Sequence, residues 1–321
     1  MRRIGVITSD VKRDWAGREL LKAADGLAEG VPVDPMTFEI RADGESPICI
    51  QGEPAESFDA FIVRGLNKKG DADYQYEVLQ LLDSQGWLVV NTPDALSLAE
   101  SKAQTTFYLE RAGLPVPRTL VTQILDEAAA AVREYGTAVL KPLYGSHGIG
   151  IEKVEAEAGA ELLPAFLEKY GVVYVQEFIP DGGRDIRAFV VGDEIPAAMY
   201  RVARKGQWKT NVSQGGSCEA CGLTPRLREM CLEAAGIIGL DYTGVDVIDG
   251  PDGPVILEVN GAPSWYGLFE ATGRNVAVDV VSHVLRMIET GRLARQPAGF
   301  RLRQRMPQSL SARGWTGSKC A

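Results

Sequence analysis

The sequence of 321 residues contains few cysteines and histidines, and they are scattered along the chain. Five cysteines, two of them in a lone Cys218-x-x-Cys221, are too few and too dispersed for a disulfide framework. With no second cysteine pair and no histidine nearby, this CxxC favours an ordinary loop over a zinc or redox site. We therefore expect a reducing compartment and no cysteine chemistry.

Excess positive charge and long apolar runs are also missing. The formal net charge is −9 and the pI is near 5.0, whereas nucleic acids and anionic membranes bind positively charged surfaces. No stretch approaches the length of a membrane span, and the apolar run near the N-terminus is too short for a signal peptide. The sequence therefore predicts a cytoplasmic protein that binds neither nucleic acid nor membrane.

A dinucleotide-binding glycine fingerprint is absent from the N-terminal part. Buried strands and helical runs alternate there, at 4–8, 17–28, 58–63, 74–85 and 87–90. No GxGxxG motif follows the first strand, so no dinucleotide site is expected. Residues 1–95 are predicted to form a small α/β domain.

Three further segments follow this domain. A helix predicted at 97–112 precedes short alternating strands and helices, which indicate a linker helix and a small α+β lid domain at 96–180. Residues 181–295 are predicted to form an α+β domain. The basic tail, 296–321, contains no acidic residue and is expected to be poorly ordered.

The stretch GVDVIDGPDGPVILEVN at 244–260 carries polar side chains that a purely structural hairpin would not need. Glu258 and Asn260 are two residues apart and share one strand face, while Leu257 and Val259 are assigned to the core face. Asp246 joins the polar face if it pairs with Glu258, which requires a loop of three or five residues. Two carboxylates and an amide suit Mg²⁺; a solvated edge hairpin is the alternative.

A glycine-rich loop and two lysines suit phosphate groups. The loop Tyr144-Gly-Ser-His-Gly-Ile-Gly150 can present backbone N–H groups to an anion, although an ordinary hairpin turn has a similar composition. Lys141 ends the strand before this loop and can reach phosphate oxygens. Lys102 supplies a second charge unless it is a solvated helix lysine. The backbone near Glu177 and Phe178 is suited to an adenine ring.

The order of these motifs closely resembles the ATP-grasp enzymes of the RimK type. The matching pieces are Lys102, Lys141 with Gly-Ser-His-Gly-Ile-Gly, Gln176-Glu-Phe-Ile179, Asp185-Ile-Arg187, Asn211-Val-Ser-Gln-Gly-Gly216, Gly244-Val-Asp246 and Glu258-Val-Asn260. The resemblance spans roughly residues 95–290 and is weaker over the N-terminal domain. It implies the ATP-grasp fold, with an N-terminal α/β domain, a small α+β lid and a C-terminal α+β catalytic domain.

The resemblance also implies a role for each matching residue. ATP would be bound by Lys102, Lys141, Gly145, Ser146, His147, Gly148, Gln176, Glu177, Phe178, Ile179, Asp185, Lys209 and Asn211. Two Mg²⁺ ions, with Mn²⁺ as a substitute, would be held by Asp246, Glu258 and Asn260. Arg187 and Arg201 would be the catalytic contacts to a substrate carboxylate and an acyl phosphate.

The implied reaction is ATP-dependent joining of a carboxylate and an amine through an acyl phosphate. L-Glutamate is the expected substrate, added to a small-molecule cofactor or a peptide by a homo-oligomeric enzyme. Two alternatives stay open: glutamate activated for attack by a small amine, such as a precursor of a furan or pterin one-carbon cofactor, and a non-catalytic nucleotide-binding module. Two departures from the family pattern, Trp265 and the segment Arg64-Gly-Leu-Asn-Lys-Lys69, bear on the acceptor.

Overall fold

A parallel α/β layer forms the N-terminal part of the computed structural model, which describes residues 1–42, 46–145, 148–157, 159–210 and 215–298. Its elements are β1 (Arg3–Ile7), α1 (Trp15–Ala24), β2 (Glu29–Val33), β3 (Phe38–Ile40), β4 (Ile48–Ile50), β5 (Glu53–Pro54), β6 (Ala60–Val63), α2 (Ala72–Ser84) and β7 (Leu88–Val90). Strands β2, β1, β6 and β7 lie side by side in parallel, while β3, β4 and β5 form a small antiparallel sheet.

The strand order of the parallel sheet creates a topological switch point. The chain leaves β1 toward the edge occupied by β2 and leaves β6 toward the opposite edge, occupied by β7. The predicted strands at 4–8, 58–63 and 87–90 are confirmed as β1, β6 and β7. Strand β2 was not predicted, because its sequence EGVPV contains glycine and proline, which are tolerated on this edge strand.

Two short helices connect the first sheet to the next: α3 (Pro93–Glu100) and α4 (Lys102–Arg111). The prediction of one continuous helix at 97–112 is wrong. Ser101 has an extended backbone with ψ at 101°, and its hydroxyl accepts a hydrogen bond from the backbone N–H of Gln104, so it caps the second helix. Lys102 is therefore the first residue of α4. The apolar residue Phe107 of this helix is 59% exposed.

The middle of the chain forms an antiparallel sheet covered by two helices. Its elements are β8 (Thr119–Thr122), α5 (Leu125–Tyr135), β9 (Thr137–Lys141), β10 (Glu152–Glu155), α6 (Gly159–Tyr170) and β11 (Val173–Glu177), with the strand order β10-β9-β11-β8. One core cluster, including Val132, Leu140, Leu163 and Val175, holds the helices on the sheet. This matches the α+β lid predicted for this segment.

The C-terminal part is a five-stranded antiparallel sheet between two layers of helices. It contains β12 (Arg184–Val191), β13 (Glu194–Val202), β14 (Ser217–Ala220), α7 (Pro225–Ile238), β15 (Tyr242–Gly250), β16 (Gly253–Asn260), α8 (Tyr266–Thr272) and α9 (Ala277–Thr290), with the strand order β14-β13-β12-β15-β16. Helix α7 packs on one face; α8 and α9 lie on the other.

A single core joins the first and last sheets. It contains Ile4 and Leu20 from the N-terminal layer together with Phe189, Tyr242 and Val280 from the C-terminal part. Each sheet falls within one predicted segment, but the exact domain boundaries stay a prediction. No helix in the described part of the chain is long and apolar enough to cross a bilayer. Residues 299–321, most of the tail for which poor order was predicted, lie outside the described residues.

Candidate active site

A cavity of about 730 Å³ lies between the lid sheet and the C-terminal sheet. Ten of the predicted site residues line it: Lys141, Gln176, Glu177, Phe178, Ile179, Asp185, Arg201, Lys209, Asp246 and Glu258. The structure therefore brings together residues that are more than 100 positions apart in the sequence.

The hairpin of β15 and β16 forms one wall of this cavity, and its register is interrupted by a bulge. Asp246 pairs with Glu258, as predicted, but beyond them Val247 pairs with Ile256, so Leu257 is an extra residue. The loop is therefore two residues long, and the prediction of a three- or five-residue loop is wrong. The bulge restores the register that the short loop would otherwise shift.

The same bulge corrects the placement of Leu257. We assigned it to the core face with Val259, but Ile256 takes the buried position and Leu257 lines the cavity beside Glu258. Two consecutive residues of β16 thus face the same cavity, which regular alternation does not permit. The hairpin contributes one apolar and one acidic side chain at that point.

Two arginines and two aspartates form a network at the cavity, and three of them, Asp185, Arg201 and Asp246, line it, whereas the predicted site residue Arg187 does not. Arg187 Nε and Nη2 each donate to one oxygen of Asp246, both at 2.6 Å. Arg201 makes the same two-pronged contact with Asp185, at 2.7 and 2.6 Å, and its Nη2 lies 2.9 Å from Asp246 Oδ2. Arg201 therefore bridges the two carboxylates, and the register of β12 against β13 and β15 sets this geometry.

Opposite charges in the network counteract the effect of burial on two of its members. Burial favours the neutral form of Asp246, but the charges of Arg187 and Arg201 outweigh it and hold the pKa of Asp246 below its usual value. Burial also opposes the charge of Arg201, whereas Asp246 and Asp185 raise its pKa. Both guanidinium groups are held in place by carboxylates on neighbouring strands.

Three lysines extend the positive charge toward the glycine-rich loop. Lys141 Nζ donates to Gln176 Oε1 at 2.6 Å, and burial lowers the pKa of Lys141 to about 8. Lys102 Nζ donates to the carbonyl of Gly145 at 2.7 Å and lies 3.9 Å from Glu258 Oε1. Lys209 Nζ donates to the carbonyl of Gly148 at 3.5 Å.

The far end of the cavity is more apolar. Phe178 meets Trp208 edge to face, with ring centroids 6.0 Å apart, and Lys153 Nζ lies 3.8 Å from the centre of the Phe178 ring. Ile179, Ile248 and Leu257 add aliphatic surface. The Glu177 carboxylate is bound by Arg118, at 2.9 and 3.0 Å, so this side chain is already engaged. Apolar surface beside a lysine cluster suits a molecule with a flat ring and an anionic tail.

Comparison with protein families shows to which family a chain with this cavity belongs. A family model described as the RimK-like ATP-grasp domain matches residues 99–284, which is more than half of the chain. The chain belongs to the RimK-like ATP-grasp family. The family assignment predicted from the motifs is thereby confirmed.

Relatives of this ATP-grasp chain are ligases. It is 35% identical to the tetrahydromethanopterin:α-L-glutamate ligase of Methanocaldococcus jannaschii, over 90% of this chain and 100% of that one. It is 33% identical to a probable α-L-glutamate ligase of Stutzerimonas stutzeri, over 85% and 92% of the respective chains. The protein is an ATP-grasp ligase, and the alternative of a non-catalytic module is set aside.

A solved structure confirms the fold. The ATP-grasp ligase PsnB, in a complex with a minimal precursor, Mg and ADP, superposes with a TM-score of 0.71 at 23% identity, covering 89% of this chain and 97% of that one. The predicted ATP-grasp architecture of α/β and α+β parts is therefore correct.

The proposed metal ligands of this ATP-grasp ligase lie on one face of the hairpin. Asp246 and Glu258 are cross-strand partners, and Asn260 pairs with Gly244, to whose carbonyl its Nδ2 donates at 2.8 Å. In the described residues no three His, Cys, Asp or Glu side chains form a metal-binding group, so the set depends on the Asn260 amide oxygen. Two carboxylates and an amide oxygen fit Mg²⁺ chemically.

Some predicted residues of the ligase have other positions. Gly145 and Asn260 line a neighbouring cavity of about 790 Å³, which Glu258 also borders. Asp185 was assigned to the ribose, yet its oxygens accept hydrogen bonds from Arg201 and from Thr210 Oγ1, so its observed contacts are within the cavity wall. Ser146, His147 and Asn211 lie outside the described residues.

Sequence reasoning also missed or misplaced several residues. Trp265, expected in the acceptor wall, is fully buried against Phe189 and Trp15, and its Nε1 donates to Asn275 Oδ1 at 3.1 Å. The missed cavity residues are Val139, Ile151, Asp181, Trp208, Thr210, Ile248 and Leu257. The run Trp208-Lys209-Thr210 was the available signal, because an aromatic, a lysine and a hydroxyl stand together in a loop.

Proposed function

We propose that the protein joins the α-amine of L-glutamate to a carboxylate of an acceptor molecule, using ATP bound in the 730 Å³ cavity. The observation that carries the proposal is the likeness to α-L-glutamate ligases over nearly the whole chain, up to 35% identity. The acceptor named for the first relative is tetrahydromethanopterin. A small molecule with a free carboxylate is the acceptor class we propose here.

Different side chains of the cavity suit different parts of the nucleotide. The apolar end near Phe178, Leu257 and Ile179 suits the adenine ring. Lys141, Lys102 and Lys209 lie on the side of the glycine-rich loop, where they neutralise phosphate charge. The hydrogen bonds of Lys102 and Lys209 to loop carbonyls are contacts that bound phosphates would replace.

The buried arginines suit the acceptor and the reacting carbon. A carboxylate that attacks the terminal phosphate of ATP gives an acyl phosphate and ADP, and the glutamate amine then displaces the phosphate. Arg201 lines the cavity, so its guanidinium can hold the carboxylate and stabilise the oxyanion of the second step, whereas Arg187, which is bound to Asp246, stays a predicted contact. One such donor contributes about 3 to 4 kcal/mol to a comparable transition state.

Asp246, Glu258 and Asn260 are the residues that would hold Mg²⁺, which supplies charge neutralisation at the transferring phosphoryl group. Four points stay predictions: the binding of two metal ions, the replacement of Mg²⁺ by Mn²⁺, a homo-oligomeric assembly and a location in the cytoplasm. Removal of the metal with EDTA, followed by addition of Mg²⁺ or Mn²⁺, tests the metal requirement by ADP release.

Mass spectrometry of the product tests the proposal. The purified protein is incubated with ATP, Mg²⁺ and isotope-labelled L-glutamate, together with tetrahydromethanopterin, short peptides or a small-molecule extract. We expect ADP release and an acceptor whose mass grows by one glutamyl residue, with the label attached through nitrogen. Attachment through a glutamate carboxylate would instead show that glutamate is the activated acid.

The matched control is Glu258→Gln, which keeps the shape of the side chain and removes its charge. We expect it to lose turnover by about 100-fold or more, since a carboxylate ligand is replaced by an amide. Turnover close to that of the wild type would contradict the role assigned to the hairpin.

A further inference from the structure

A second crevice lies at the topological switch point of the N-terminal sheet. Asp10 and Arg13, from the loop after β1, and Asn67, Lys68 and Lys69, from the loop after β6, line a space of about 1000 Å³. Open parallel sheets bind ligands outside the carboxyl ends of their strands, at the point where the strand order reverses. The position of this crevice is therefore one where α/β layers bind small molecules.

The unpaired charge in the crevice is positive. Asp10 accepts hydrogen bonds from the backbone N–H groups of Lys12 and Arg13, and Asp14 accepts from Thr8 Oγ1 at 3.0 Å and from Arg64 Nε at 3.4 Å. Both carboxylates are thus engaged within the loops. Lys68 and Lys69 are exposed, and neither ammonium group has an ion-pair or hydrogen-bond partner among the described residues.

The loop that carries these lysines is held in place by buried amides. Asn67 donates its backbone N–H to Gln75 Oε1 at 2.7 Å, and Gln75 Nε2 returns a hydrogen bond to the Asn67 carbonyl at 3.0 Å. Asn67 Oδ1 accepts from the backbone N–H of Lys69, also at 3.0 Å. A side chain at Gly70 would collide with Met36 and Gln75. Such fixed loops lower the ordering cost of binding.

The same loop is connected to the catalytic hairpin. It begins at Arg64, whose guanidinium Nη1 donates to the carbonyl of Pro263 at 2.8 Å. Pro263 lies three residues after Asn260, at the end of the hairpin that borders both cavities. Trp265 lies in the core, so the segment 64–69 is the remaining departure from the family pattern, and its Lys68 and Lys69 are exposed.

We propose that this crevice binds an anionic group, a carboxylate or a phosphate, on the part of the acceptor that is remote from the ligated carboxylate. The inference rests on the proposed function, because it assumes that the ligase has an acceptor of this kind. Lys68 and Lys69 supply the charge. They determine which acceptors bind, whereas Arg201 in the cavity holds the carboxylate that reacts.

Chemical labelling tests the anion site without any turnover. An amine-reactive reagent is applied to the protein with citrate, with inorganic phosphate, or with sodium chloride at equal ionic strength, and mass spectrometry follows each lysine. We expect citrate or phosphate to slow labelling of Lys68 and Lys69 several-fold, with no change at exposed Lys169. The anion that slows the labelling of these lysines more shows whether the crevice prefers a carboxylate or a phosphate. Equal labelling in all three arms overturns the proposal.

Kinetics with the acceptor found by mass spectrometry test the assignment to the substrate. In Lys68→Gln/Lys69→Gln we expect the acceptor KM to rise by about 10- to 100-fold, as for two lost charge-assisted contacts. The kcat and the KM values for ATP and glutamate stay near those of the wild type, and Lys169→Gln serves as the control.

Failure of the crevice proposal and failure of the proposed ligase function would give different results. If the acceptor is turned over and its KM is unchanged in the double variant, the crevice is not its binding site, while the ligase function stands. If no acceptor gains a glutamyl residue, the proposed function fails, and the labelling result still decides whether the crevice binds anions.

Discussion

Buried charge gives individual residues of the active site their properties. Lys141 is held between Gln176 and the ring of Tyr174, and burial lowers its pKa to about 8, so its charge is conditional near neutral pH. Arg201 and Arg187 stay charged at any accessible pH. The site therefore combines one lysine that titrates with two permanent cations.

Nucleotide binding is predicted to weaken as the pH rises through about 8. Below that value Lys141 is protonated and attracts phosphate; above it the neutral amine does not, so affinity falls by up to about tenfold per pH unit. Calorimetry with a non-hydrolysable ATP analogue from about pH 7 to about pH 9.5 measures this. Lys141→Arg, which remains charged, is the control and should show no such fall. A flat wild-type profile would contradict the role of Lys141.

Removing Arg201 is predicted to destabilise the fold more near neutral pH than in acid. In Arg201→Ala both Asp185 and Asp246 lose a guanidinium partner while buried, a change that costs about 3 to 5 kcal/mol. Arg187 and Arg201 hold the pKa of Asp246 down, so their stabilisation exists above the unfolded-state pKa and is lost as the pH falls.

Urea denaturation at about pH 7 and about pH 4 checks this difference, since the unfolded-state pKa of aspartate is about 4. The difference in the free energy of unfolding between wild type and variant should be smaller at the acidic pH. Arg133→Ala, at an exposed helix position, is the reference and should have little effect at either pH. A gap of equal size at both pH values would argue against coupling between Arg201 and the carboxylates.

Among the elements, the β15–β16 hairpin combines core and site in one short segment. Ile256 and Val259 are buried, while Leu257 and Glu258 line the cavity between them. This arrangement depends on the bulge, because Glu258 would otherwise alternate onto the core face.

Deletion of Leu257 is predicted to keep Glu258 opposite Asp246, because the two-residue loop then pairs these residues without a bulge. The variant loses one apolar side chain of the cavity but keeps the carboxylate, so we expect it to fold and still release ADP. Leu257→Ala, which keeps the bulge, is the control and should weaken ATP binding by about tenfold. Scanning calorimetry and ADP release compare the two variants. A deletion variant that folds but no longer turns over, beside an active Leu257→Ala, would show that the bulge itself is required.

The sequence predicted elements and motifs well and their long-range relations less well. The lid, the acidic hairpin and the order of lysines and arginines follow from local patterns. The break at Ser101 was missed because the apolar periodicity continues through it. The bulge was detectable, since Ile256-Leu257 interrupts the alternation and Gly-Pro-Asp-Gly suits a two-residue loop. The Arg187–Asp246 pair depends on the register between β12 and β15, which are distant in sequence, so no local pattern specifies it. The Arg201–Asp185 pair lies across the β12–β13 hairpin, whose register shifts between Phe189 and Val191.

Across the whole molecule, Asn91 joins the N-terminal layer to the C-terminal sheet. It is fully buried; its Nδ2 donates to the carbonyls of Tyr242 and Gly261, both at 2.8 Å, and its Oδ1 accepts from the N–H of Asp241 at 2.7 Å. These contacts hold the start of β15 and the end of β16, which lie together at the open end of the hairpin. The large shared core around Trp265 lies beside them.

Asn91→Ala is predicted to destabilise the protein by about 3 kcal/mol or more, because several buried backbone groups lose their partners. Denaturant titration of the full chain measures the loss. Gln85→Ala, which removes an exposed amide, should change stability by less than about 0.5 kcal/mol. If both variants unfold at the same denaturant concentration, Asn91 is not a structural link between the layers.

The bulge at Leu257 also shows where this enzyme can vary in length in evolution or in design. An insertion in the turn at Pro251-Asp252 lengthens the loop, and loss of Leu257 removes the bulge, but neither change separates Glu258 from Asp246. A single insertion between Glu258 and Asn260 would instead place these two side chains on opposite faces of the strand. Functional members should therefore differ in length on the turn side of Glu258 and not between Glu258 and Asn260.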